Sequence, residues 1–134
     1  MKRIFVDTSG WYVLVDANDP DHLAAKNWFV ANKSPLVTSN YVFSETVTLI
    51  KTRLGAANAV RFGEKLRDSK FVSTCFLSDD DESAAWELFK KYVDKGYSFP
   101  DCTSFVLMRG FNIDSAFTFD VHFEQHGFMV LPNL

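Results

Sequence analysis

Short apolar runs alternate along the chain with longer segments whose apolar residues recur every three or four positions. The runs have the length of buried strands, and the longer segments have the spacing of helices that bury one face. The predicted strands are residues 3–7, 35–39, 70–76, 115–119 and 128–131. The predicted helices are residues 10–16, 19–33, 41–55, 56–69, 81–96 and 98–108, followed by a short helical turn within 121–127.

This alternation predicts an α/β fold, a three-layer α/β/α sandwich with a central, mostly parallel sheet. No low-complexity linker or internal repeat interrupts the 134 residues, so residues 1–134 are expected to form one domain. Helix boundaries follow from local signals: Asp19 with Pro20 predicts the start of the second helix, and Gly55 and Gly96 predict helix ends.

Composition excludes several classes of protein. Hydrophobic residues make up 47% of the chain and aromatic residues 16%, which excludes a disordered chain. No apolar run approaches the roughly 20 residues of a membrane span, and the start "MKRIFVDTSG" carries charge too early for a signal peptide. Cys75 and Cys102 form no CxxC pair, which is typical of buried thiols in a reducing compartment. A cytoplasmic protein without a membrane partner is expected.

The net charge of −3 argues mildly against a nucleic-acid partner, but the charges are unevenly distributed. Between Lys51 and Lys70 there are six basic residues against two acidic ones, a local excess of +4. A solvated helix face and a nucleic-acid contact surface both explain this excess. The run "SDDDES" at residues 78–83 is interpreted as a helix start, where acidic residues are favoured.

Two acids follow predicted strands. Asp7 ends the first strand and Asp120 ends the fourth, so both are expected at the edge where open parallel sheets bind ligands. Each also has an alternative role, because an aspartate directly before a helix often caps it.

Two further acids lie on predicted apolar helix faces. Asp101 shares a face with Phe105 and Met108, and Glu45 has apolar residues three positions before and four after it but no basic residue at those spacings. Both carboxylates are therefore expected to point inward and to need a partner. Asp101 has an alternative role as well, because Ser98 and Asp101 match a capping box.

Four motifs in register resemble the PIN-domain nucleases, and among them the VapC-like toxins of toxin–antitoxin pairs. The motifs are "FVDTSGW", "SNYVFSETVTLI", "SFPDCTSFVLM" and "AFTFDVHF", which carry Asp7, Glu45, Asp101 and Asp120, the last with Phe123 three residues on. The resemblance spans nearly the whole chain. It implies a metal-dependent ribonuclease that acts on RNA, forms a homodimer and is inhibited by a small antitoxin protein.

A cluster of oxygen ligands without a converging histidine or cysteine favours Mg²⁺, for which Mn²⁺ can substitute. Asp7, Asp101 and Asp120 are the expected direct or water-mediated ligands, and Glu45 is expected to bind the metal or orient a water. A metal-activated water is the expected nucleophile, which leaves 5′-phosphate ends. His122 and His126 lack the glutamate of a zinc-protease helix and are interpreted as surface or packing residues.

Two sets of supporting residues complete the predicted site. Nearby hydroxyls could hold the ligands, and part of the basic segment could contact RNA. The candidate hydroxyls are Thr8, Ser9 and Thr118, and the candidate RNA contacts are Lys51, Arg53, Arg61 and Lys65.

Two other functions fit parts of the pattern. A noncatalytic PIN-like module could bind RNA or a protein through the same pocket. A receiver-type phosphoacceptor domain is also α/β with an acidic pocket, but such domains place two adjacent acids after the first strand, where "RIFVDTSG" has one.

Overall fold

A computed structural model of the protein describes residues 2–133. Its strands are β1 Ile4–Val6, β2 Leu36–Ser39, β3 Val72–Cys75, β4 Ser115–Phe117 and β5 Met129–Leu131. Its helices are α1 Thr8–Val15, α2 His22–Ala31, α3 Asn40–Leu54, α4 Ala56–Asp68, α5 Asp79–Lys91, α6 Phe99–Gly110 and α7 Val121–Gln125, with a 3₁₀ turn at Val93–Lys95. The predicted α/β fold is confirmed.

The strands form one sheet in the order β3-β2-β1-β4-β5, and neighbouring strands are parallel in all four pairs. From β1 the chain moves outward on one side to β2 and β3, and then returns to β4 and β5 on the other side. Because such crossovers are right-handed, α1 to α4 cover one face of the sheet and α5 to α7 cover the other. Strands added after β1 lie on one side of it up to β3 and on the other side from β4 onward, so β1 and β4 flank the switch point of the sheet. Such folds bind ligands at the carboxyl ends of these two strands.

The core lies on both faces of β1 and β4. Phe5, Phe117, Phe105 and Phe123 are fully buried, the last two on α6 and α7. The edge strand β3 has only partly buried and exposed residues, as an edge position permits. Cys102 is buried and Cys75 partly buried, and both are free thiols.

Helix ends follow the sequence signals with two exceptions. Gly55 ends α3 with a positive φ of 93°, as predicted. However, α2 begins at His22 rather than after Asp19, because the Asp19 carboxylate accepts a hydrogen bond from the Asp21 backbone N–H within a turn. The helix α5 ends at Lys91, and the 3₁₀ turn continues the chain toward Gly96.

None of the helices within residues 2–133 is long and apolar enough to cross a membrane.

The first turn of α1 packs unusually close to β4. A Cβ atom on Gly10 would lie 2.5 Å from the Phe117 carbonyl oxygen and 2.7 Å from the Phe117 ring. The backbone oxygen cannot move without disturbing the sheet. Only glycine therefore lets α1 approach β4 this closely, beside the paired ends of β1 and β4.

We therefore expect Gly10→Ala to lower the free energy of unfolding by about 1–3 kcal/mol, since the added methyl group overpacks the interface between α1 and β4. Urea denaturation followed by circular dichroism measures this change. Gly110→Ala is the matched control, because a Cβ there meets no atom within 4 Å and a helical alanine is favoured over glycine. Equal stability of the two variants would contradict the observed packing.

Candidate active site

Asp7 lies directly after β1, at the first position before α1, and is only 6% exposed. Its side chain makes no helix-capping hydrogen bond. Instead, its Oδ2 atom accepts hydrogen bonds from Thr118 Oγ1 at 3.1 Å and from Ser9 Oγ at 3.2 Å. Helix capping, the alternative considered from the sequence, therefore does not account for the burial of this carboxylate.

The environment of Asp7 disfavours its charged form. Burial is the largest cause, and the negative charge of Asp101 is the second, with a smaller contribution from Asp120. The Thr118 hydroxyl opposes these effects, but together they raise the pKa of Asp7 to about 7. The three aspartates are thus close enough for their charges to interact.

Asp101 combines two of the predicted roles. Ser98 Oγ accepts from the Asp101 backbone N–H, and Asp101 Oδ2 accepts from the Ser98 N–H at 3.0 Å, so the capping box at the start of α6 is present. The residue is also 7% exposed, and burial followed by the charge of Asp120 raises the pKa of its carboxyl group. The capping box therefore fixes a carboxylate that faces other acids.

Asp120 caps α7, the alternative considered for it, because its Oδ1 atom accepts from the His122 backbone N–H at 2.9 Å. Its own backbone N–H donates to Thr118 Oγ1 at 3.0 Å. Since Thr118 also donates to Asp7, one hydroxyl links the residues that follow β1 and β4.

The three candidate hydroxyls all contact the acidic site. Ser9 Oγ and Thr118 Oγ1 lie 3.0 Å apart, and both bond to Asp7. Thr8 Oγ1 donates to Glu45 Oε1 at 2.7 Å. Their predicted proximity agrees with this geometry, while their role in catalysis remains a prediction.

Glu45 does not lie on the buried face of α3, and this expectation was wrong. The buried residues of this helix are Val42, Thr46 and Ile50, which recur every four positions and leave Glu45 beside the stripe with an exposed side chain. Sequence spacing identified the correct helix but misplaced its inner face by one residue. The hydrogen bond from Thr8 nevertheless holds Glu45 at the rim of the acidic site.

A histidine does converge on the acids, contrary to the sequence interpretation. His122 Nδ1 lies 2.9 Å from Asp101 Oδ2 and 3.2 Å from Asp120 Oδ1. His126, in contrast, stacks on Phe105 with ring centroids 4.5 Å apart and is a packing residue, as predicted. The comparison with zinc-protease helices does not apply to His122, because its ring faces two aspartates and not a second histidine.

The four candidate RNA contacts lie on α3 and α4, away from the buried acids. Lys51, Arg53, Arg61 and Lys65 all have exposed side chains. Arg53 packs over the Tyr12 ring. Within residues 2–133, none of the four forms an ion pair. Their positive charges are therefore not neutralised by neighbouring carboxylates of the described chain.

The donor atoms at the carboxyl edge of the sheet fit a divalent cation. One donor atom each from Asp101, Asp120 and His122 lie within 4.8 Å of one another, and Asp7 lies close enough to interact with both aspartates. Carboxylate oxygens are the usual ligands of Mg²⁺ and Mn²⁺. A bound cation would also offset the repulsion that raises the pKa of Asp7.

Comparison with known proteins identifies the fold family. The model of the PIN domain matches residues 4–129. The 23S rRNA-specific endonuclease VapC20 of two Mycobacterium tuberculosis strains is 39% identical over 126 residues, which cover 94% of this chain and 95% of VapC20. Ribonuclease VapC26 of the same species is 25% identical over 118 residues, 87% of this chain and 86% of VapC26.

The structural comparison agrees. The crystal structure of M. tuberculosis VapC20, described as a sarcin–ricin loop cleaving toxin, superimposes with a TM-score of 0.89 at 38% identity, covering 94% of this chain and 96% of that one. The receiver-type alternative is therefore wrong. The sheet order, the acids at the switch point between β1 and β4, and these matches lead to one conclusion: the chain belongs to the PIN-domain family.

Proposed function

We propose that this chain is a metal-dependent endoribonuclease and the toxin of a toxin–antitoxin pair. The observation that carries the proposal is the buried carboxylate of Asp7, which lies beside Asp101 and Asp120 at the switch point of the sheet. Membership in the PIN-domain family and 39% identity to an rRNA endonuclease support the same conclusion.

The proposed substrate is the sarcin–ricin loop of 23S rRNA. The support is the relationship to VapC20, which is specific for 23S rRNA and cleaves that loop, and which aligns with this chain over 94% of its length. The proposed partners are a cognate antitoxin and a second copy of the chain, as the VapC resemblance implies.

The proposed cofactor is Mg²⁺, with Mn²⁺ able to substitute, held by Asp7, Asp101 and Asp120. When bound, such an ion polarises the scissile phosphate and lowers the pKa of a water molecule. The chain's own residues prepare the site. Ser9 and Thr118 fix the orientation of the Asp7 carboxylate, and the capping box fixes that of Asp101.

Glu45 has a different proposed role, as a group that orients water or the substrate. Its side chain is exposed at the rim, and the Thr8 hydroxyl donates to one of its two carboxylate oxygens. The other oxygen can accept a hydrogen bond from a water or a ribose hydroxyl.

The exposed residues Lys51, Arg53, Arg61 and Lys65 are proposed to bind RNA phosphates. Lys51 follows Glu45 by six residues on α3, which is about 9 Å along the helix axis. Their lack of ion pairs within residues 2–133 supports this role, because no neighbouring carboxylate needs to be displaced before RNA binds.

Replacing Asp7 with Asn should lower the rate of cleavage at least about 100-fold, because the amide keeps the shape of the side chain but loses the charge that holds a cation. The measurement is cleavage of an RNA that contains the sarcin–ricin loop, with Mg²⁺ or Mn²⁺ present, and the fragments should carry 5′-phosphate ends.

Asp94→Asn is the control, because this exposed aspartate lies outside the site and should leave the rate unchanged. A wild-type protein that binds the RNA and metal without cutting it would favour the noncatalytic module. Fragments with 2′,3′-cyclic phosphates would contradict the role of an activated water.

In chelator, the stability of the wild type should fall as the pH rises from about 4 to about 7. The pKa of Asp7 is about 7 in the folded chain against an ordinary value of 3.8, so the folded state binds more protons than the unfolded state in this window. Asp7→Asn removes the free-energy cost of ionising a buried carboxyl group. At pH 8 the variant should therefore be more stable than the wild type, by at most on the order of 4 kcal/mol.

The difference should become small below about pH 3, where the Asp7 carboxyl group is protonated in both the folded and the unfolded state. At pH 8, millimolar Mn²⁺ should make the wild type more stable than Asp7→Asn, because a ligand that binds only the folded wild type stabilises it. Thermal melts at three pH values, with and without Mn²⁺, test both statements. If Asp7→Asn still melts at a higher temperature than the wild type at pH 8 after addition of Mn²⁺, the proposed metal site is contradicted.

The double variant Arg61→Ala/Lys65→Ala should weaken RNA binding and reduce the slope of log K against log salt by up to about one unit per lost phosphate contact. Binding is measured in chelator, so that the RNA stays intact. Lys2→Ala/Lys33→Ala is the matched control, since these exposed lysines precede β1 and β2 at the opposite edge of the sheet. If the slope is the same in both double variants, Arg61 and Lys65 belong to a solvated helix face and do not contact RNA.

A further inference from the structure

His122 is a feature of the site that neither the four acidic motifs nor the sequence spacing predicted. It is the second residue of α7, and its backbone N–H donates to the capping carboxylate of Asp120. The next residue, Phe123, is fully buried and anchors this short helix in the core. The backbone position of His122 is therefore fixed from both sides.

The ring of His122 is also held in one orientation. The buried Tyr97 packs edge to face against it, with ring centroids 5.4 Å apart and an interplanar angle of 71°. A Cβ atom on Gly96 would lie 3.7 Å from Nε2, so the backbone of Gly96 packs beside that edge of the ring. As a result, the Nδ1 edge faces Asp101 and Asp120.

The Nδ1 atom of His122 lies close to two carboxylate oxygens, but it can donate a full hydrogen bond to only one of them. It lies 2.9 Å from an oxygen of Asp101 and 3.2 Å from an oxygen of Asp120, yet an imidazole nitrogen carries at most one proton. One donor atom from each of the three residues lies within 4.8 Å of the other two. Adjacent ligands of an octahedral ion that binds at about 2.1 Å are about 3.0 Å apart, so the two distances from Nδ1 match those between neighbouring ligands of a single cation.

We infer that His122 supplies an imidazole nitrogen to the divalent metal site, next to Asp101 and Asp120, and that this ligand makes the site prefer Mn²⁺ over Mg²⁺. The inference rests on the proposed function, which places a cation there. Mg²⁺ binds almost exclusively to oxygen ligands, whereas imidazole is a good ligand for first-row transition metals. Carboxylate oxygens suit both ions, so an all-carboxylate site has a weaker preference for Mn²⁺.

The direct test is pulsed electron paramagnetic resonance of Mn²⁺ bound to the purified protein. A nitrogen bound to Mn²⁺ produces ¹⁴N modulation of the electron spin echo, and we expect this modulation in the wild type. It should disappear in His122→Phe, which keeps an aromatic ring against Tyr97. It should persist in His22→Gln, since His22 lies on α2 and bonds to the Val13 carbonyl oxygen.

Metal affinities measured by calorimetry provide the second readout. His122→Asp replaces the nitrogen with an oxygen ligand and should reduce the preference for Mn²⁺ over Mg²⁺ at least about 10-fold. His122→Asp retains a metal ligand at this position, so it tests the inference even if His122→Phe fails to fold. An unchanged ratio of the two affinities in His122→Asp would overturn the inference.

The outcomes separate this inference from the proposed function. Mn²⁺ that binds the wild type without ¹⁴N modulation would overturn the role of His122 and leave an all-oxygen site. Modulation that persists in His122→Phe would assign the nitrogen to another residue and also overturn it. A wild type that binds neither ion would overturn both the inference and the proposed metal dependence.

Discussion

The desolvation of the Asp7 carboxylate is the constraint on which the site depends. A charge at this position, 6% exposed and beside two other aspartates, is costly unless hydroxyl donors and a cation compensate it. The chain provides the hydroxyls on two separate elements: Ser9 comes from the first turn of α1, and Thr118 follows β4. The site can therefore form only when β1 and β4 are paired, so its assembly is tied to the folding of the sheet.

The remaining acids are held by interactions that also define helix starts. Asp101 belongs to the capping box of α6, and Asp120 caps α7. Capping and participation in the acidic cluster are compatible, because a carboxylate has two oxygens and several lone pairs. A backbone N–H on one oxygen restricts the rotation of the side chain and leaves acceptor positions for another partner. Helix capping here is thus a means of orienting the acids.

The net charge of −3 conceals an uneven distribution of charge between two regions of the chain. The three aspartates lie at the carboxyl edge of the sheet, where Asp7 and Asp101 are buried, whereas the basic side chains of α3 and α4 are exposed. RNA would approach an exposed positive surface first and meet the acids only near the site, where a cation reduces their repulsion. Glu45 and Lys51 lie on the same helix, so α3 connects the two regions.

The sequence by itself determined the fold class, the helix starts at Ser78 and Ser98, and the segments that carry the acids, because periodicity and capping are local properties. The tertiary structure decided what depends on neighbours distant in sequence. It set which face of α3 is buried, and so left Glu45 exposed. It also directed the His122 ring at Asp101 and Asp120, because Tyr97 and Gly96 pack against that ring from a segment 25 residues earlier in the chain. Spacing in one dimension carries no information about such contacts, since they arise only when α6, α7 and the sheet are packed together.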